Sequence, residues 1–337
     1  MKPSKQIEQD HPSIDQVGFV VIGRNEGARL IDSLRSLGSL VERAVYVDSG
    51  STDGSMEAAR ELGASVVALG TDIPFTAARA RNAGFESLLE AYPATTLIQF
   101  LDGDCSLREN WIETARGFLA KHPDVALVCG RRRERYPERS VYNALCDREW
   151  NGPKGAINEC GGDFMVRVES FRDVGGFRSD LIAGEEPELC VRLRQGDRGI
   201  WRLDQEMTWH DANISRFTQW WRRQLRAGHA FAEVSWLHRH SPSRIWQRQF
   251  FRAIFWGLVI PLSVGALSII LDWRFLLLLL AYPLNVLRLA AREDACSGKS
   301  WIAAFYSVLG KFPEMIGIIK LHTGRLAGRK QPIIEYK

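Results

Sequence analysis

Residues 95–104, with the sequence Thr95-Thr96-Leu97-Ile98-Gln99-Phe100-Leu101-Asp102-Gly103-Asp104, decide the fold of this chain. The β-branched and apolar residues up to Leu101 predict a buried strand, and a helix is expected to start near Ser106. The two carboxylates then lie at the carboxyl end of a strand, where open α/β sheets bind ligands. An Asp-X-Asp turn brings two hard oxygen donors together, which suits Mg²⁺ or Mn²⁺ bridging to a diphosphate. The same residues are also compatible with a turn followed by a Ser106/Glu109 capping box.

The composition indicates one large core with a smaller appended part. The chain has 337 residues, of which 45% are hydrophobic and 25% charged, and its net charge of +4 is too small to indicate a nucleic-acid partner. Six cysteines without Cys-X-X-Cys spacing predict free thiols in a reducing compartment. Residues 1–16 are polar and lack the apolar core of a signal peptide, so we expect a flexible N-terminus before a cytosolic domain.

From Val17 onward, short apolar runs alternate with amphipathic ones. The apolar runs predict strands at 17–22, 44–47, 64–68, 97–101 and 125–128. Between them, apolar residues recur at helical spacing, as at Leu30, Leu34 and Leu37. Near-continuous apolar strands separated by helices predict an α/β fold with a mainly parallel sheet covered on both faces.

Polar stretches follow the first two predicted strands. They are Gly23-Arg24-Asn25-Glu26-Gly27 and Asp48-Ser49-Gly50-Ser51-Thr52-Asp53-Gly54. An aspartate at a strand end can accept hydrogen bonds from a base or a ribose, and small residues let a ligand approach the backbone. Both stretches lie on the same predicted rim as Asp102 and Asp104, which favours a ligand site over ordinary loops.

Six motifs in this order resemble those of family 2 glycosyltransferases of the GT-A fold. They cover roughly residues 17–240 and are Val20–Glu26, Asp48–Gly54, Ala80–Gly84, Asp102–Asp104, Gly161–Phe164 with Gly175–Phe177, and Glu185–Leu189. The resemblance, to the membrane-anchored bacterial type, implies a GT-A domain over 17–215 and a nucleotide-sugar donor. It also implies a Mg²⁺ or Mn²⁺ ion and transfer with inversion.

The resemblance also implies roles for single residues. Asp48 contacts the nucleotide base, and Asp104 is the direct metal ligand. The other donor-binding candidates are Arg24, Asn25, Glu26, Ser49, Asp53, Arg81, Asp102 and Gly103, and Asp102 is in addition a candidate metal ligand. The acceptor-binding candidates are Gly161, Gly162, Asp163, Arg223 and Arg226.

The reaction needs a general base for the acceptor hydroxyl and a cation for the leaving diphosphate. In the family, the base belongs to a Glu-Asp motif that opens a helix, whereas this chain has Glu185-Glu186 followed by Pro187. Glu186 takes the place of the usual Asp and is the first candidate, with Glu185 as the second. Acidic residues also suit a helix N-terminus for dipole reasons, a role that fits Glu188 better.

His210 follows the strand-like run Glu206–Trp209. Neutral imidazole binds Mn²⁺ well, and many GT-A enzymes use a late histidine as a further metal ligand. A histidine beside an apolar strand is equally compatible with a structural role. The sequence therefore leaves both roles open.

Residues 216–252 predict an amphipathic interfacial segment. One helical face is aromatic and apolar and another carries arginines, with Trp residues suited to the headgroup level of a bilayer. Gln219–Arg223 and Arg223–Ala227 partly match the Gln/Arg-X-X-Arg-Trp motif of processive family members, but both lack the final Trp. We therefore expect no processive polymerase.

A transmembrane hairpin is predicted over residues 253–292. The uncharged run 254–271 is about 27 Å long as a helix, enough to cross a bilayer core, and 275–287 continues it after Asp272-Trp273-Arg274. Basic residues flank both outer ends and predict that these ends are cytoplasmic, although a buried soluble hairpin is the alternative. Within 293–337, the apolar run 301–319 contains Lys311, Pro313 and Glu314, which predicts an interfacial or re-entrant segment and then a C-terminal tail.

Together these features predict a hexosyltransferase-type enzyme in the inner (cytoplasmic) membrane, multi-pass, with its first domain facing the cytosol. Its expected acceptor is lipid-linked or another saccharide in polysaccharide or glycolipid synthesis. The alternatives are a polyprenyl-phosphate sugar synthase and a non-catalytic nucleotide-binding membrane scaffold. A nucleotidyltransferase is disfavoured because the sequence lacks the Gly-rich, basic N-terminal loop of that class.

Overall fold

The computed structural model describes residues 13–70 and 72–328. Two compact units form, the first from residues up to Leu181 with Glu185–Asn213, and the second from Ile182–Gly184 with the residues from Ile214 onward. Of the predicted N-terminal segment 1–16, residues 1–12 lie outside the described part, and Ile14–Gln16 form a 3-10 turn capped by Ser13. The end of the predicted C-terminal tail, 329–337, also lies outside it.

A single sheet forms the centre of the first unit. Within the described residues its strand order is β3-β2-β1-β4-β8-β6-β9-β5, with β7 beside β9. The strands are β1 Val17–Gly23, β2 Ala44–Asp48, β3 Ser65–Ala68, β4 Leu97–Asp102, β5 Cys105–Leu107, β6 Val125–Glu134, β7 Gly155–Ala156, β8 Phe164–Arg167 and β9 Gly199–His210. All five strands predicted from apolar runs are present as β1 to β4 and β6.

The sheet is parallel in one half and mixed in the other. Strands β3, β2, β1 and β4 are parallel, as the sequence predicts. In the other half, β8 runs antiparallel to β4 and β6, β9 is parallel to β6, and β5 and β7 are antiparallel to β9. Only Gly103 and Asp104 separate β4 from β5, yet these two strands are not neighbours in the described sheet, because β5 pairs with β9.

Helices and aromatic side chains enclose this sheet. The helices of the first unit are α1 Ala28–Arg35, α2 Ser55–Glu61, α3 Ala77–Ala91, α4 Trp111–Lys121, α5 Val141–Glu149, α6 Val168–Asp173 and α7 Glu185–Gln195. Phe100 packs at ring-centroid distances of 5.3 Å from Phe164 and Phe171. Trp111 is fully buried and donates a 2.8 Å hydrogen bond to Gln99 Oε1, so the first residue of α4 is anchored in the core.

The predicted helix start near Ser106 is wrong. Cys105–Leu107 form β5, which pairs with His210–Thr208 of β9, and α4 begins only at Trp111. Ser106 therefore does not cap a helix with Glu109. The tertiary strand pairing satisfies the backbone groups of these residues and overrides the local capping pattern.

The second unit is helical within its described residues. Its helices are α8 Phe217–Leu237, α9 Gln247–Ile254, α10 Ile260–Ile270, α11 Ala281–Glu293, α12 Gly298–Leu309 and α13 Lys311–Leu326. Helices α8 and α13 meet at glycines: a Cβ atom at Gly228 would lie 1.9 Å from Glu314 O, and one at Gly317 would lie 2.1 Å from Leu225 O. Such backbone contact is possible only without side chains at these two positions.

Three helices among the described residues are long and apolar enough to cross a membrane. They are Gln247–Ile270, Trp273–Glu293 and Gly298–Leu326. The first two correspond to the predicted hairpin, and the third contains the run predicted to be interfacial or re-entrant. Its Lys311 and Glu314 form an ion pair of 2.6 Å, which reduces the cost of two charges in an apolar helix.

Candidate active site

The pairing of β5 with β9 brings together an aspartate and a histidine. Cys105 lies opposite His210 in this ladder, and the Asp211 N–H donates to Asp104 O at 3.1 Å. As a result, His210 Nε2 lies 3.3 Å from Asp104 Oδ2, and both residues are buried. Two of the three predicted metal ligands therefore face each other.

The surroundings of His210 keep its ring neutral. Burial lowers the pKa of His210, and the nearby Glu134 carboxylate opposes this shift only in part. Trp150 packs edge-on against the ring at a centroid distance of 4.7 Å, and Glu134 Oε2 lies 3.7 Å from Nδ1. A neutral imidazole offers one lone pair to a cation.

The side chains around Asp104 and His210 suit a small divalent cation as ligands. The atoms of Asp104, Cys105 and His210 that could bind a metal ion all lie within 4.8 Å of one another. Burial raises the pKa of the Cys105 thiol well above its ordinary value, which favours the carboxylate and the imidazole over this thiol as ligands. A carboxylate oxygen and an imidazole nitrogen together suit Mn²⁺. Mg²⁺ would be bound chiefly by the carboxylate.

Asp102 is held by two arginines. Its Oδ1 lies 2.8 Å from Arg81 Nη2, and its Oδ2 lies 3.2 Å from Arg132 Nη2. Since both oxygens already accept charge-assisted hydrogen bonds, the geometry favours Asp104 over Asp102 as the direct metal ligand. Asp102 is then better suited to orienting the donor beside the ion.

The Asp163 side chain is buried and supports the backbone of Asp102. Its side chain has no exposed surface and accepts hydrogen bonds from the Asp102 N–H at 3.0 Å and from the Thr208 hydroxyl at 2.9 Å. It also pairs with Arg132 at 2.9 Å. These contacts give Asp163 a supporting role, and its predicted acceptor contact stays a prediction.

The glycines before Asp163 keep space open for Arg81. A Cβ atom at Gly162 would lie 2.5 Å from Arg81 Nη2 and 2.7 Å from Asp102 Oδ2, whereas one at Gly161 would meet open space. A glycine is thus required at position 162, because a side chain there would collide with the Arg81–Asp102 pair. Gly161 remains a candidate for acceptor contact.

Arg81 also reaches the two glutamates that open α7. Its Nη1 lies 3.0 Å from Glu185 Oε1 and 2.9 Å from Glu186 Oε1, and the guanidinium is almost completely buried. The Glu186 side chain is 14% exposed, against 4% for Glu185. Glu188 instead pairs with Arg192 within α7 at 2.6 Å, a helix-stabilising contact. Of the three acids, Glu186 is the one most open to a substrate.

Burial raises the pKa of Glu186 to about 7. The neighbouring Glu185 adds to the shift, and Arg81 opposes it. A carboxyl group with this pKa is partly ionised at neutral pH and binds a proton more readily than an ordinary glutamate does. Such a group is suited to general base catalysis.

The loops after β1 and β2 bind each other. The Asn25 N–H donates to Ser51 Oγ at 2.9 Å, and Asn25 Oδ1 accepts from the Thr52 N–H at 2.8 Å. Asp53 Oδ2 accepts from the Gly27 N–H at 3.0 Å. Asn25 and Asp53, both predicted to bind the donor, therefore also fix the shape of the rim.

Asp48 shapes the turn that follows it. Its Oδ1 accepts from the Tyr46 hydroxyl at 2.9 Å, and its Oδ2 accepts from the N–H groups of Gly50 and Ser51 at 2.8 Å. The side chain is buried, so its predicted contact with the base remains a prediction. The Ser49 N–H donates to Gly23 O at 3.1 Å, which ties the same turn to β1.

The remaining predicted donor residues lie along the same rim. Arg24 lies with its guanidinium 5.7 Å from the ring centre of Phe75, a residue that the sequence did not single out. Glu26 pairs with Arg29 at 2.7 Å. The Gly103 N–H donates to Ile22 O at 2.7 Å, and a Cβ atom at Gly103 would approach that oxygen to 3.0 Å.

Arg223 and Arg226, predicted to bind the acceptor, lie on α8 in the second unit. Arg226 donates to the Ile182 carbonyl at 3.0 Å, also within that unit. The structure brings together predicted residues of the first unit, and the acceptor role of these two arginines stays a prediction.

Sequence reasoning missed Arg132, Glu134 and Trp150. The run Gly130-Arg131-Arg132-Arg133-Glu134 ends the apolar strand β6, just as polar residues end β1, β2 and β4. Side chains alternate along a strand, so Arg132 reaches Asp102 while Arg131 and Arg133 pair with Asp147. The sequence feature that could have identified the two residues on β6 is a run of charged residues at the end of a buried apolar strand.

Comparison with known proteins identifies this domain. Residues 19–175 match the model of the family described as "Glycosyl transferase family 2". The matched domain belongs to glycosyl transferase family 2. The match confirms the predicted family and covers the donor-side motifs, whereas Glu185, Glu186 and His210 lie beyond it.

Curated relatives of this family 2 domain come from archaea and bacteria. The chain is 27% identical over 209 residues to glycosyltransferase AglE of Haloferax volcanii, with 60% of this chain and 66% of that protein covered. It is 31% identical over 198 residues to a pre-mycofactocin glycosyltransferase of Mycobacterium tuberculosis, with 54% and 40% covered. It is 26% identical over 256 residues to the succinoglycan biosynthesis protein ExoA of Rhizobium meliloti, with 72% and 74% covered. The chain thus spans less than two thirds of the length of the first two.

A solved structure shares the fold of this chain. It is the mannosyltransferase PcManGT from Pyrobaculum calidifontis in complex with GDP-Man and Mn²⁺. The TM-score is 0.63 at 16% sequence identity, with 91% of this chain and 87% of that chain covered. This similarity confirms the predicted GT-A fold.

Proposed function

We propose that this chain is a metal-dependent, inverting glycosyltransferase that moves a sugar from a nucleotide-sugar donor to a membrane-associated acceptor. One observation carries the proposal: Arg81 joins Asp102 of the Asp-X-Asp turn to Glu186 at the start of α7. A donor-side group and a candidate base are therefore linked through one buried side chain. Transfer of a sugar needs both a diphosphate site and a base beside it.

Asp104 and His210 would hold the divalent cation. Two acceptor atoms 3.3 Å apart in a buried pocket repel each other unless a proton or a cation lies between them. When bound, the ion would neutralise the charge that develops on the leaving nucleoside diphosphate. The Mn²⁺ in the PcManGT complex, a protein of the same fold, is consistent with this assignment.

Glu186 would accept the proton of the acceptor hydroxyl. The hydroxyl oxygen attacks the anomeric carbon on the face opposite the diphosphate, the bond from this carbon to the diphosphate oxygen breaks, and the configuration inverts. Arg81 fixes the position of the carboxylate, while Glu185 lies deeper and contributes to the raised pKa of Glu186. A base with this pKa favours a hydroxyl acceptor over a polyprenyl phosphate, whose oxygen is already ionised.

The acceptor is proposed to be lipid-linked and the enzyme to lie in the inner membrane, multi-pass, with the first unit facing the cytosol. Support comes from the apolar surface of the second unit, where Ile269 and Ile270 are 88% and 75% exposed. Exposed apolar helices of this length are stable in lipid and prone to aggregation in water. One relative is named for succinoglycan biosynthesis, which is consistent with a role in polysaccharide synthesis.

The test is turnover of nucleotide sugars by the full-length protein in detergent. Each donor of a panel is offered with Mn²⁺, Mg²⁺ or EDTA, and with a polyprenyl-diphosphate saccharide or a polyprenyl phosphate. We expect metal-dependent transfer to the saccharide from one class of donor. Transfer to the phosphate alone would make the chain a polyprenyl-phosphate sugar synthase. Donor binding without turnover would make it a scaffold.

A further inference from the structure

The carboxylate of Glu134, at the end of β6, is completely buried beside His210. Its Oε1 accepts from the Tyr136 N–H at 3.2 Å and from Asn143 Nδ2 at 3.0 Å. Its Oε2 accepts from the Ala212 N–H at 3.0 Å and lies 3.7 Å from His210 Nδ1. Three donors and the imidazole therefore surround a single carboxylate.

The ring of His210 has little freedom to turn. Its backbone is paired with Cys105 across the ladder and accepts from the Arg135 N–H at 2.8 Å, while Trp150 packs against its side. Nε2 points to Asp104, and Nδ1 has no hydrogen-bond partner among the residues that the structure describes. The carboxylate oxygen that faces Nδ1 is Glu134 Oε2, at 3.7 Å.

We propose that Glu134 is a positioning residue that holds the proton of His210 on Nδ1 and so keeps the Nε2 lone pair directed at the cation beside Asp104. The inference rests on the proposed function, because it assigns a role toward the ion of that site. Histidines that bind metals generally donate their second N–H to a carboxylate or carbonyl, which fixes both the tautomer and the ring orientation. Glu134 does not touch the ion, the donor or the acceptor.

The surrounding donors explain why this position needs a carboxylate. An ionised carboxylate has about four acceptor sites and no donor, which matches three N–H groups and one imidazole N–H. A glutamine has the same shape but carries an NH₂ group in place of one oxygen. Whichever way it is turned, that NH₂ faces a donor at Tyr136 and Asn143 or at Ala212 and His210.

The experiment measures Mn²⁺ binding by the full-length protein in detergent, by titration of the free-ion EPR signal without any donor substrate. The variants are Glu134→Gln and His210→Ala. The matched control is Glu188→Gln, which alters another buried glutamate of the first unit that pairs with Arg192. We expect Glu134→Gln to weaken Mn²⁺ binding by about 10–100-fold and the control to stay within about twofold.

A second measurement does not depend on how Glu134→Gln folds. In wild-type protein labelled with ¹⁵N-histidine and loaded with Mg²⁺, the His210 resonances, assigned by their loss in His210→Ala, should show the proton on Nδ1. A proton on Nε2 would overturn the inference. So would unchanged Mn²⁺ affinity in Glu134→Gln when His210→Ala loses it, and this result would leave the proposed function intact. Absence of Mn²⁺ binding by the wild-type protein would instead overturn the proposed function.

Discussion

Cys105 lies directly opposite His210 in the antiparallel ladder of β5 and β9. This one pair sets the candidate cation site, because it places the preceding residue, Asp104, 3.3 Å from the imidazole. The position of both ligands is therefore determined by backbone hydrogen bonds and not by flexible loops. Two candidate ligands held in place in this way lose little conformational freedom when they bind an ion.

The first prediction concerns Asp104→Asn. The substitution keeps the size of the side chain but removes the negative charge of a direct ligand, so we expect transfer to be lost and the metal-dependent part of donor binding to fall by at least about tenfold. Calorimetric titration of the donor with and without Mn²⁺ measures this effect. Asp204→Asn is the control, since Asp204 is exposed and pairs with Lys154 at the surface. Unchanged metal-dependent donor affinity would remove Asp104 from the ligand set.

The sequence predicted the parallel half of the sheet well because its signals are local. Apolar runs ending in Gly23, Asp48 and Asp102 form adjacent parallel strands, and strand ends that share a direction share an edge of the sheet. The mixed half was not predictable in the same way. Nothing in Cys105-Ser106-Leu107 shows that it pairs with β9, and the local capping pattern suggested a helix instead.

The contacts between buried charged side chains could not be predicted from the sequence either. Arg81 was predicted to bind the donor, but its three carboxylate partners come from β4 and α7, and its packing against Gly162 comes from a third segment. Asp163 belonged to a recognisable motif, yet its burial under Asp102 depends on how β8 pairs with β4. Motifs identify the residues of a site, whereas tertiary packing decides which of them can touch a ligand.

The second prediction separates the two glutamates of α7. Glu186→Gln should lower kcat by about 10²–10⁴-fold with donor affinity nearly unchanged, because a base acts on the acceptor and not on the nucleotide. Glu185→Gln should lower kcat less, since Glu185 is the more buried of the two. Steady-state kinetics of both variants at saturating donor provide the comparison. The reverse order of effects would move the base to Glu185.

The third prediction is the pH dependence of transfer. The base must be ionised, and the pKa of Glu186 is raised by burial from 4.5 to about 7. Activity should therefore fall about tenfold per pH unit below pH 7 and level off above it, in contrast to an unperturbed glutamate, which would remain active down to about pH 4.5. The measurement is kcat between pH 5 and 9 at saturating metal. The acidic limb should be absent from the residual activity of Glu186→Gln.

The fourth prediction concerns Arg81→Met. Removing the buried guanidinium leaves Asp102, Glu185 and Glu186 without their shared counter-charge, and breaking a buried ion pair typically costs about 3–5 kcal/mol. We expect a clear fall in the thermal midpoint of the first unit together with loss of activity. Arg178→Met, which breaks an exposed pair with Asp180, should change stability by less than about 0.5 kcal/mol. Equal effects of the two variants would contradict the central role of Arg81.

The fifth prediction concerns the second unit, whose apolar helices should make the full-length protein resist extraction by salt or alkali and require detergent. The solubility of a shortened chain should depend on where it ends, because α8 contacts the backbone of α13 at Gly228 and Gly317. A chain ending at His240 keeps α8 without this partner and exposes its buried face, including Trp220 and Leu225. We expect that chain to aggregate.

A chain ending at Asn213, the boundary of the first unit, should instead stay in solution without detergent and bind the donor in a Mn²⁺-dependent way, because Asp104, His210, Arg81 and Glu186 all precede it. Sedimentation and donor titration of the two shortened chains measure the difference.

Gly228→Val in the full-length protein should destabilise the second unit, since its Cβ atom would meet Glu314 O at 1.9 Å, while donor binding persists. Full-length protein that purifies as a soluble monomer without detergent would exclude the membrane assignment and the lipid-linked acceptor inferred from it. The cation and base assignments would still stand, because they depend on the first unit alone.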